Sequence, residues 1–230
     1  GSWQAKTHKK NNIWFIEQPY QLPANNLRVD TITALAEKRS YSQFQVKKSE
    51  LGRYQLDKPP LVVTLNEQKF ALGTTDPVKK QRYAINIDNS SSDTTIHLIN
   101  GVIYYQLRAA LNTFISPFLV PPQAKISRID WLGKTLKTDK GIWQLTPEEA
   151  QVSADSIAQF IHFWQLAQAS RIETDASVNI SNSELVQSKG IVIHYNLPGN
   201  KEEKIHYLII QDNKQLKLLR TDMQIAYWLS

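Results

Sequence analysis

The chain of 230 residues contains no cysteine, only 8 glycines and a single methionine. Without cysteine, disulfide bonds, thiol catalysis and cysteine-ligated zinc are excluded. No apolar run approaches the roughly 18 residues that a membrane-spanning helix needs. The glycines are too far apart for a P-loop or a dinucleotide-binding fingerprint, so we predict no nucleotide ligand and no cofactor.

The composition that remains is that of a globular protein with a basic first half. Apolar residues make up 41% and aromatic residues 10%, which is enough for a sizeable core. The net charge is +6, and residues 1–125 carry 16 basic against 9 acidic side chains. Such a bias favours anionic partners. Nucleic acid is not predicted, because no recognition helix or RNA-binding aromatic motif accompanies the charge.

Two parts of the sequence are similar to each other. Trp14 and Pro19 recur as Trp143 and Pro147, with the tryptophans 129 positions apart (143 − 14). A helix is predicted after each, capped by Asn25 or Asn26 in the first and by Ser153 or Asp155 in the second. Their apolar faces are Val29, Ile32, Leu35 and Ala36, and Ile157, Phe160, Ile161 and Trp164.

Each predicted helix is followed by strand-forming sequence. The predicted strands cover 61–65, 69–72, 83–87 and 95–99 in the first half, and 191–195, 205–210 and 215–219 in the second. Between the halves, a helix predicted over 107–115 is ended by the prolines at 117, 121 and 122. A β-meander is predicted from Ile126 to Trp143.

These elements predict an α+β fold of two tandem related sub-domains, residues 1–122 and 123–230. Each is expected to be an antiparallel β-sheet with one long helix packed on a face.

The residues that make up the first half also resemble a known family. Trp14-Phe15-Ile16-Glu17-Gln18-Pro19, the segment Leu51-Gly52-Arg53-Tyr54-Gln55-Leu56-Asp57-Lys58-Pro59-Pro60, and the pairs Leu72-Gly73 and Arg82-Tyr83 are similar to the bacterial domain of unknown function 4340 family. Gln55 stands where the family pattern has glycine. The similarity extends over nearly the whole chain.

The resemblance implies a setting rather than a reaction. It implies a membrane-anchored extracytoplasmic domain, often encoded beside gliding-type ABC transporter components, with no established chemistry. The Gly1-Ser2 start lacks an initiator methionine and is typical of a cleaved tag. We therefore expect a periplasmic domain, anchored to the inner membrane by an N-terminal helix that precedes these residues.

Basic clusters supply the candidate binding residues. Lys47 and Lys48 form one pair, and Lys79, Lys80 and Arg82 follow the turn at Asp76-Pro77. They are predicted to contact the phosphates of lipid headgroups if the domain lies near a bilayer. The alternative interpretation is an ordinary solvated loop.

Two histidines are weak candidates for a metal site. In a hairpin centred near residue 200, His194 and His206 are expected to face each other, with Glu202 or Glu203 nearby. Histidines on a strand surface are more often solvated than ligating, so no metal is predicted.

No catalytic residue is assigned, because neither a nucleophile elbow nor a metalloprotease motif occurs. The function predicted is a non-enzymatic, membrane-tethered periplasmic binding or accessory domain whose partner is another envelope or membrane protein, such as an ABC-type transporter. The alternatives are an envelope hydrolase acting on glycan or peptide, and a basic module that binds an anionic lipid surface.

Overall fold

The computed structural model describes residues 5–10, 12–65, 67–88, 93–149, 151–174, 189–199, 201–212 and 215–229. The chain forms two compact units. The small unit is Leu27–Ala110, and the large unit combines Gly1–Asn26 with Leu111–Ser230. Within the described ranges, no helix combines the length and the apolar character needed to cross a membrane.

The small unit is built on a five-stranded antiparallel sheet. Helix α1 (Asn26–Ala36) leads into it, and a 3-10 helix (Lys48–Tyr54) and helix α2 (Val102–Leu107) follow within it. The strands are β4 (Ser42–Lys47), β5 (Leu61–Leu65), β6 (Gln68–Thr75), β7 (Arg82–Asn86) and β8 (Asp93–Ile99). Their order in the sheet is β4-β8-β7-β6-β5.

Both faces of this sheet are covered, because alternate residues along each strand point to opposite sides. Ala71 packs on one side in a cluster that includes Leu51 and Tyr54 of the 3-10 helix. Its neighbour Leu72 packs on the other side with Ile103 and Tyr104 of α2. The small unit therefore has two apolar layers separated by one sheet.

The large unit contains a three-stranded and an eight-stranded antiparallel sheet. The first has the order β1-β2-β3, with β1 (Lys6–Lys10), β2 (Ile13–Gln18) and β3 (Leu22–Pro23). The second has the order β11-β10-β9-β13-β14-β15-β16-β12. Its strands are β9 (Lys125–Trp131), β10 (Lys134–Asp139), β11 (Ile142–Thr146), β12 (Arg171–Thr174), β13 (Lys189–Asn196), β14 (Glu202–Asp212), β15 (Gln215–Arg220) and β16 (Ile225–Leu229).

Helix α3 (Ala154–Leu166) packs on the apolar face of the large sheet. Ser153 caps it by accepting a hydrogen bond from the Ser156 amide at 3.1 Å. Trp164 of α3 is buried and stacks on Tyr207 of β14, with their ring centroids 6.4 Å apart. The helix is thus fixed to the sheet by aromatic contacts.

The α+β class and the helix over Ala154–Leu166 agree with the sequence analysis, whereas the helix predicted over 107–115 is wrong. Helix α2 ends at Leu107, and the following segment contains only a short 3-10 helix (Leu111–Phe114). Its last residues pair elsewhere: Ile115 forms a β-bridge with Ala24. The boundary predicted near residue 122 separates two sequence repeats. The two compact units of the structure are divided at other residues, Asn26 and Ala110. The division into two repeats stays a prediction.

Replacing Gly73 tests the packing of β6 against the 3-10 helix. A Cβ atom at Gly73 would overlap the carbonyl oxygen of Tyr54 and lie 2.9 Å from Cγ of Leu56. We expect Gly73→Ala to lower the free energy of unfolding by about 3 kcal/mol, the upper end for overpacking. Chemical denaturation measures this.

Gly190→Ala is the matched control, since a Cβ there would meet nothing within 4 Å. Its effect should stay within about 0.5 kcal/mol. Equal stability of Gly73→Ala and Gly190→Ala would contradict the close approach of β6 to Tyr54.

Candidate functional site

The five basic candidate residues lie in the small unit but at different places in its sheet. Lys47 is at the end of β4 and pairs with Asp93 at the start of β8, and Lys48 begins the 3-10 helix. Arg82 pairs with Ile99 at the other end of β8. Because β8 has 7 residues, about 20 Å separates these two ends. The sheet therefore does not bring Lys47 and Lys48 close to the other basic group, which consists of Lys79, Lys80 and Arg82.

Arg82 also differs from its two lysine neighbours. Lys79 and Lys80 are exposed, whereas Arg82 is only 7% exposed. Its Cζ atom lies 3.3 Å from the centroid of the Tyr104 ring, and Nη1 donates to the Thr75 hydroxyl at 3.1 Å. The aromatic face compensates part of the cost of burying the guanidinium. The exposed basic group is therefore Lys79 and Lys80, without Arg82.

The loop that carries these lysines is organised by Asp76. Its carboxylate accepts hydrogen bonds from the Val78 and Lys79 amides at 3.0 and 2.6 Å and from the Tyr83 hydroxyl at 2.7 Å. The bond from Lys79, followed by that from Tyr83, lowers the pKa of Asp76. Burial, together with the Asp76 contact, raises the pKa of Tyr83 to about 12. The loop therefore presents its lysines from a fixed backbone.

The two histidines do not face each other, so that prediction is wrong. His194 lies opposite Lys204, and His206 lies opposite Val192. The hairpin is centred on residue 199 rather than 200, since paired residues sum to 398. Because of this shift in register, His194 and His206 lie diagonally across the two strands rather than directly opposite each other.

His194 instead joins a polar network on the outer face of the large sheet. Its Nε2 atom lies 3.2 Å from Oδ2 of Asp130, and Nδ1 lies 3.5 Å from Oε2 of Glu202. Asp130 also accepts from Arg128 Nε at 2.8 Å and from the Thr135 hydroxyl at 2.6 Å. Burial raises the pKa of Asp130, but the hydrogen bonds from Thr135 and Arg128 outweigh it and leave this pKa below its usual value.

The network does not have the geometry of a serine hydrolase or of a metal centre. The Ser127 hydroxyl donates to Glu202 at 2.6 Å rather than to His194. A catalytic histidine must instead accept the proton of the nucleophile. Across the described part of the chain, no group of three or more potential ligands is arranged to hold a metal ion.

The other face of the large sheet contains a feature that the sequence analysis missed, a cavity of about 140 Å³. Two exposed residues at its rim, Gln21 and Glu203, indicate that it opens at the surface. We call it the tyrosine cavity. Its inner wall includes Phe15, Leu22, Ser116, Phe118, Leu119, Tyr195, Leu197, Ile205, Tyr207, Arg220 and Tyr227.

The phenols of the cavity are held in place and stay neutral. Tyr207 donates to the Leu119 carbonyl at 2.6 Å, and Tyr195 donates to Glu203 Oε2 at 2.9 Å. Burial raises the pKa of all three tyrosines, Tyr195, Tyr207 and Tyr227, and brings that of Tyr227 to about 12. At neutral pH they are therefore hydrogen-bonding groups without charge.

Arg220 supplies a positive charge beside these phenols. Its Nε and Nη2 atoms donate to the two carboxylate oxygens of Asp222 at 3.2 and 2.7 Å. Burial by itself would lower the pKa of Arg220, but the bond to Asp222 and the neighbouring tyrosines raise it overall. Asp222 therefore keeps the guanidinium charged and orients it.

The cavity could not be recognised from the sequence because its walls come from distant segments. Tyr195 and Tyr207 are predicted as strand residues, but nothing local indicates that Phe15 or Phe118 lies against them. The only sequence signal is the presence of tyrosine rather than phenylalanine at buried strand positions, since a buried hydroxyl needs a partner.

The fold and the site together describe an α+β protein with a small, tyrosine-lined cavity on one sheet. A family profile described as Domain of unknown function (DUF4340) matches residues 14–188. The match covers more than half of the chain, which therefore belongs to this family, as the resemblance of its Trp14 and Leu51–Pro60 segments implied. No curated protein and no solved structure matches the chain.

Removing the Tyr207 hydroxyl tests the anchoring of the cavity wall. In Tyr207→Phe the buried Leu119 carbonyl loses its donor, so we expect the free energy of unfolding to fall by about 1–2 kcal/mol. Urea denaturation measures the change. Tyr105→Phe, at an exposed position, is the control and should leave stability nearly unchanged. Equal effects of the two variants would contradict the Tyr207 bond.

Replacing Asp76 by asparagine tests the loop. Folding lowers the pKa of Asp76. Its carboxylate therefore stabilises the folded protein at any pH above the unfolded-state pKa of about 4. This stabilisation is lost as the pH falls through the lower pKa of the folded state. We expect Asp76→Asn to have a lower Tm than wild type at pH 7, with the difference shrinking in acid.

Asp139→Asn, at an exposed site on β10, is the control and should have a smaller effect. A Tm difference for Asp76→Asn that stays constant into acid would show that the charge of Asp76 is not what stabilises the loop.

Proposed function

We propose that the protein is a non-enzymatic binding module that docks onto another protein of the bacterial envelope. In this proposal the tyrosine cavity receives one side chain of the partner. The observation that carries the proposal is the size of the cavity, about 140 Å³, together with its mixed apolar and hydrogen-bonding wall.

The volume favours a side chain over a whole metabolite. Pockets for cofactors and drug-sized ligands usually measure about 300–1,000 Å³. A cavity of about 150 Å³ holds a single benzene-sized group. An aromatic or branched side chain from a partner has this size, and such residues are common anchors of protein interfaces.

The wall chemistry defines the kind of guest. Phe15, Leu22 and Ile205 offer apolar contact, and the neutral phenol of Tyr227 and the guanidinium of Arg220 offer hydrogen bonds. An aromatic ring that carries a hydroxyl can contact the apolar residues of the wall and form hydrogen bonds with its polar groups. Tyrosine is therefore the guest that best fits this cavity.

The proposed setting is the periplasmic side of an inner membrane, with the module tethered there and serving as an accessory of an ABC-type transporter or another envelope complex. The support for this setting is the family resemblance, which implies a membrane-anchored extracytoplasmic domain often encoded beside ABC transporter components. The partner is accordingly sought among envelope and membrane proteins.

We also propose that the chain arose from two related copies, as the sequence repeat predicts. The strand orders support this. In the small unit the order is β4-β8-β7-β6-β5, and the large sheet contains the corresponding order β12-β16-β15-β14-β13. A hairpin and a helix precede each set: β1-β2 with α1, and β10-β11 with α3. Each copy would then have one long helix beside an antiparallel sheet.

Site-specific photocrosslinking in the native bacterium tests the binding proposal. A photoreactive phenylalanine is placed in the full-length protein at Gln21 or Glu203, at the cavity rim, or at the exposed control position Gln144 on β11. We expect the two rim positions to capture the same envelope protein, identified by mass spectrometry, and the control position not to capture it.

A cavity-filling variant sharpens the test. Leu197→Phe adds volume inside the cavity, so it should reduce the rim crosslink several-fold in a protein whose far-UV spectrum and Tm match wild type. If the rim positions capture nothing, or if Gln144 captures the same protein equally well, the cavity is not the docking site.

A further inference from the structure

A second surface, in the small unit, combines exposed apolar and basic side chains. The loop at 76–81, between β6 and β7, contributes one apolar and two basic residues, and helix α2 with the residue after it contributes two apolar residues and one basic one. We call this the loop–helix surface: Val78, Lys79, Lys80, Val102, Tyr105 and Arg108.

The apolar members of this surface are unusually exposed. Val78 is 84% exposed, Tyr105 69% and Val102 51%. Val78 is the most exposed of the large hydrophobic residues in the described part of the chain. Single exposed apolar residues are ordinary on protein surfaces, but a group of them beside basic residues is typical of a binding site.

The loop and the helix are neighbours. A Cβ atom at Gly101, directly before α2, would lie 3.1 Å from the carbonyl oxygen of Lys80. Val102, Tyr105 and Arg108 are spaced by three residues, so they follow one side of the helix. The two segments therefore meet at this end of the sheet.

The surface is also preorganised. Asp76 holds the loop through the Val78 and Lys79 amides, and the Lys80 amide donates to the Asp76 carbonyl at 3.0 Å. On the helix side, Arg108 Nη1 donates to the Tyr104 hydroxyl at 2.8 Å. A preformed surface loses less conformational freedom on binding.

The charge of this surface is positive. Asp76 is the only acidic residue in 76–82 and 100–108, and its carboxylate is engaged by the loop. Lys79, Lys80 and Arg108 are exposed, and Arg82 adds its charge beneath Tyr104. An anionic partner is therefore favoured over a neutral or cationic one.

We propose that the loop–helix surface docks the small unit onto an anionic phospholipid bilayer. Val78 and Val102 enter the headgroup region, Tyr105 lies at the boundary between headgroups and acyl chains, and Lys79, Lys80 and Arg108 contact lipid phosphates. Apolar groups flanked by basic side chains are typical of peripheral membrane contacts, and tyrosine is enriched at this depth. The proposal is independent of the tyrosine cavity.

Vesicle co-sedimentation of the 230-residue chain provides the first test. We expect binding to phosphatidylcholine vesicles that contain phosphatidylglycerol, little binding to phosphatidylcholine alone, and weakening by salt. Lys79→Glu with Lys80→Glu should weaken binding at least about 25-fold, because each basic residue contributes about fivefold and the two new carboxylates are repelled by the lipid phosphates.

Lys47→Glu with Lys48→Glu is the matched control. It makes the same change of net charge at the opposite end of the same sheet. It should leave most of the binding intact. Equal loss in the two double variants would mean adsorption by net charge, and absence of binding to anionic vesicles would mean that the surface does not dock to lipid; either result overturns the proposal.

Insertion of the loop is measured separately. Because the chain has no cysteine, Val78→Cys can be labelled with a single environment-sensitive fluorophore. We expect a blue shift of its emission with anionic vesicles. Val62→Cys, at an exposed apolar position on β5, is the control and should show no shift. A label at position 78 that stays in water while the protein is vesicle-bound would overturn the proposed orientation.

Discussion

The arrangement of the large unit depends on the buried side chain of Tyr207. Its ring stacks on Trp164 and meets the edge of Tyr227, with ring centroids 5.9 Å apart in the second pair. Its hydroxyl donates to the carbonyl of Leu119, which is distant in sequence. One residue thus connects helix α3, two strands of the large sheet and the segment that follows the short 3-10 helix. The cavity lies beside Tyr207, and the bond from the Tyr207 hydroxyl to Leu119 connects two parts of its wall.

Much of the fold follows from local sequence patterns. Strand β5 has the bounds expected for its run of branched residues, and the cap at Ser153 marks the start of α3. These features depend on neighbours a few residues away, which a sequence displays directly. The meander of β9, β10 and β11 is predicted for the same reason, since Gly133 and Gly141 adopt positive φ at its turns.

The details of the candidate sites could not be predicted, because they depend on register and on distant segments. The prediction that the two histidines face each other is wrong because the centre of the hairpin differs by one residue, which displaces His194 relative to His206. Arg82 was expected beside Lys79 and Lys80, but the strand that begins at Arg82 turns its side chain onto Tyr104. The tyrosine cavity brings Phe15, Phe118 and Tyr227 together, and no pattern along the chain relates them.

Gly73 has a consequence for comparing members of the family. The 3-10 helix reaches β6 only because position 73 has no side chain, so the contact depends on one backbone position rather than on a set of complementary side chains. A related sequence with any other residue at this position must place its 3-10 helix differently. In an alignment of the family, a glycine at this position therefore marks the relatives whose 3-10 helix packs on the sheet in the same way.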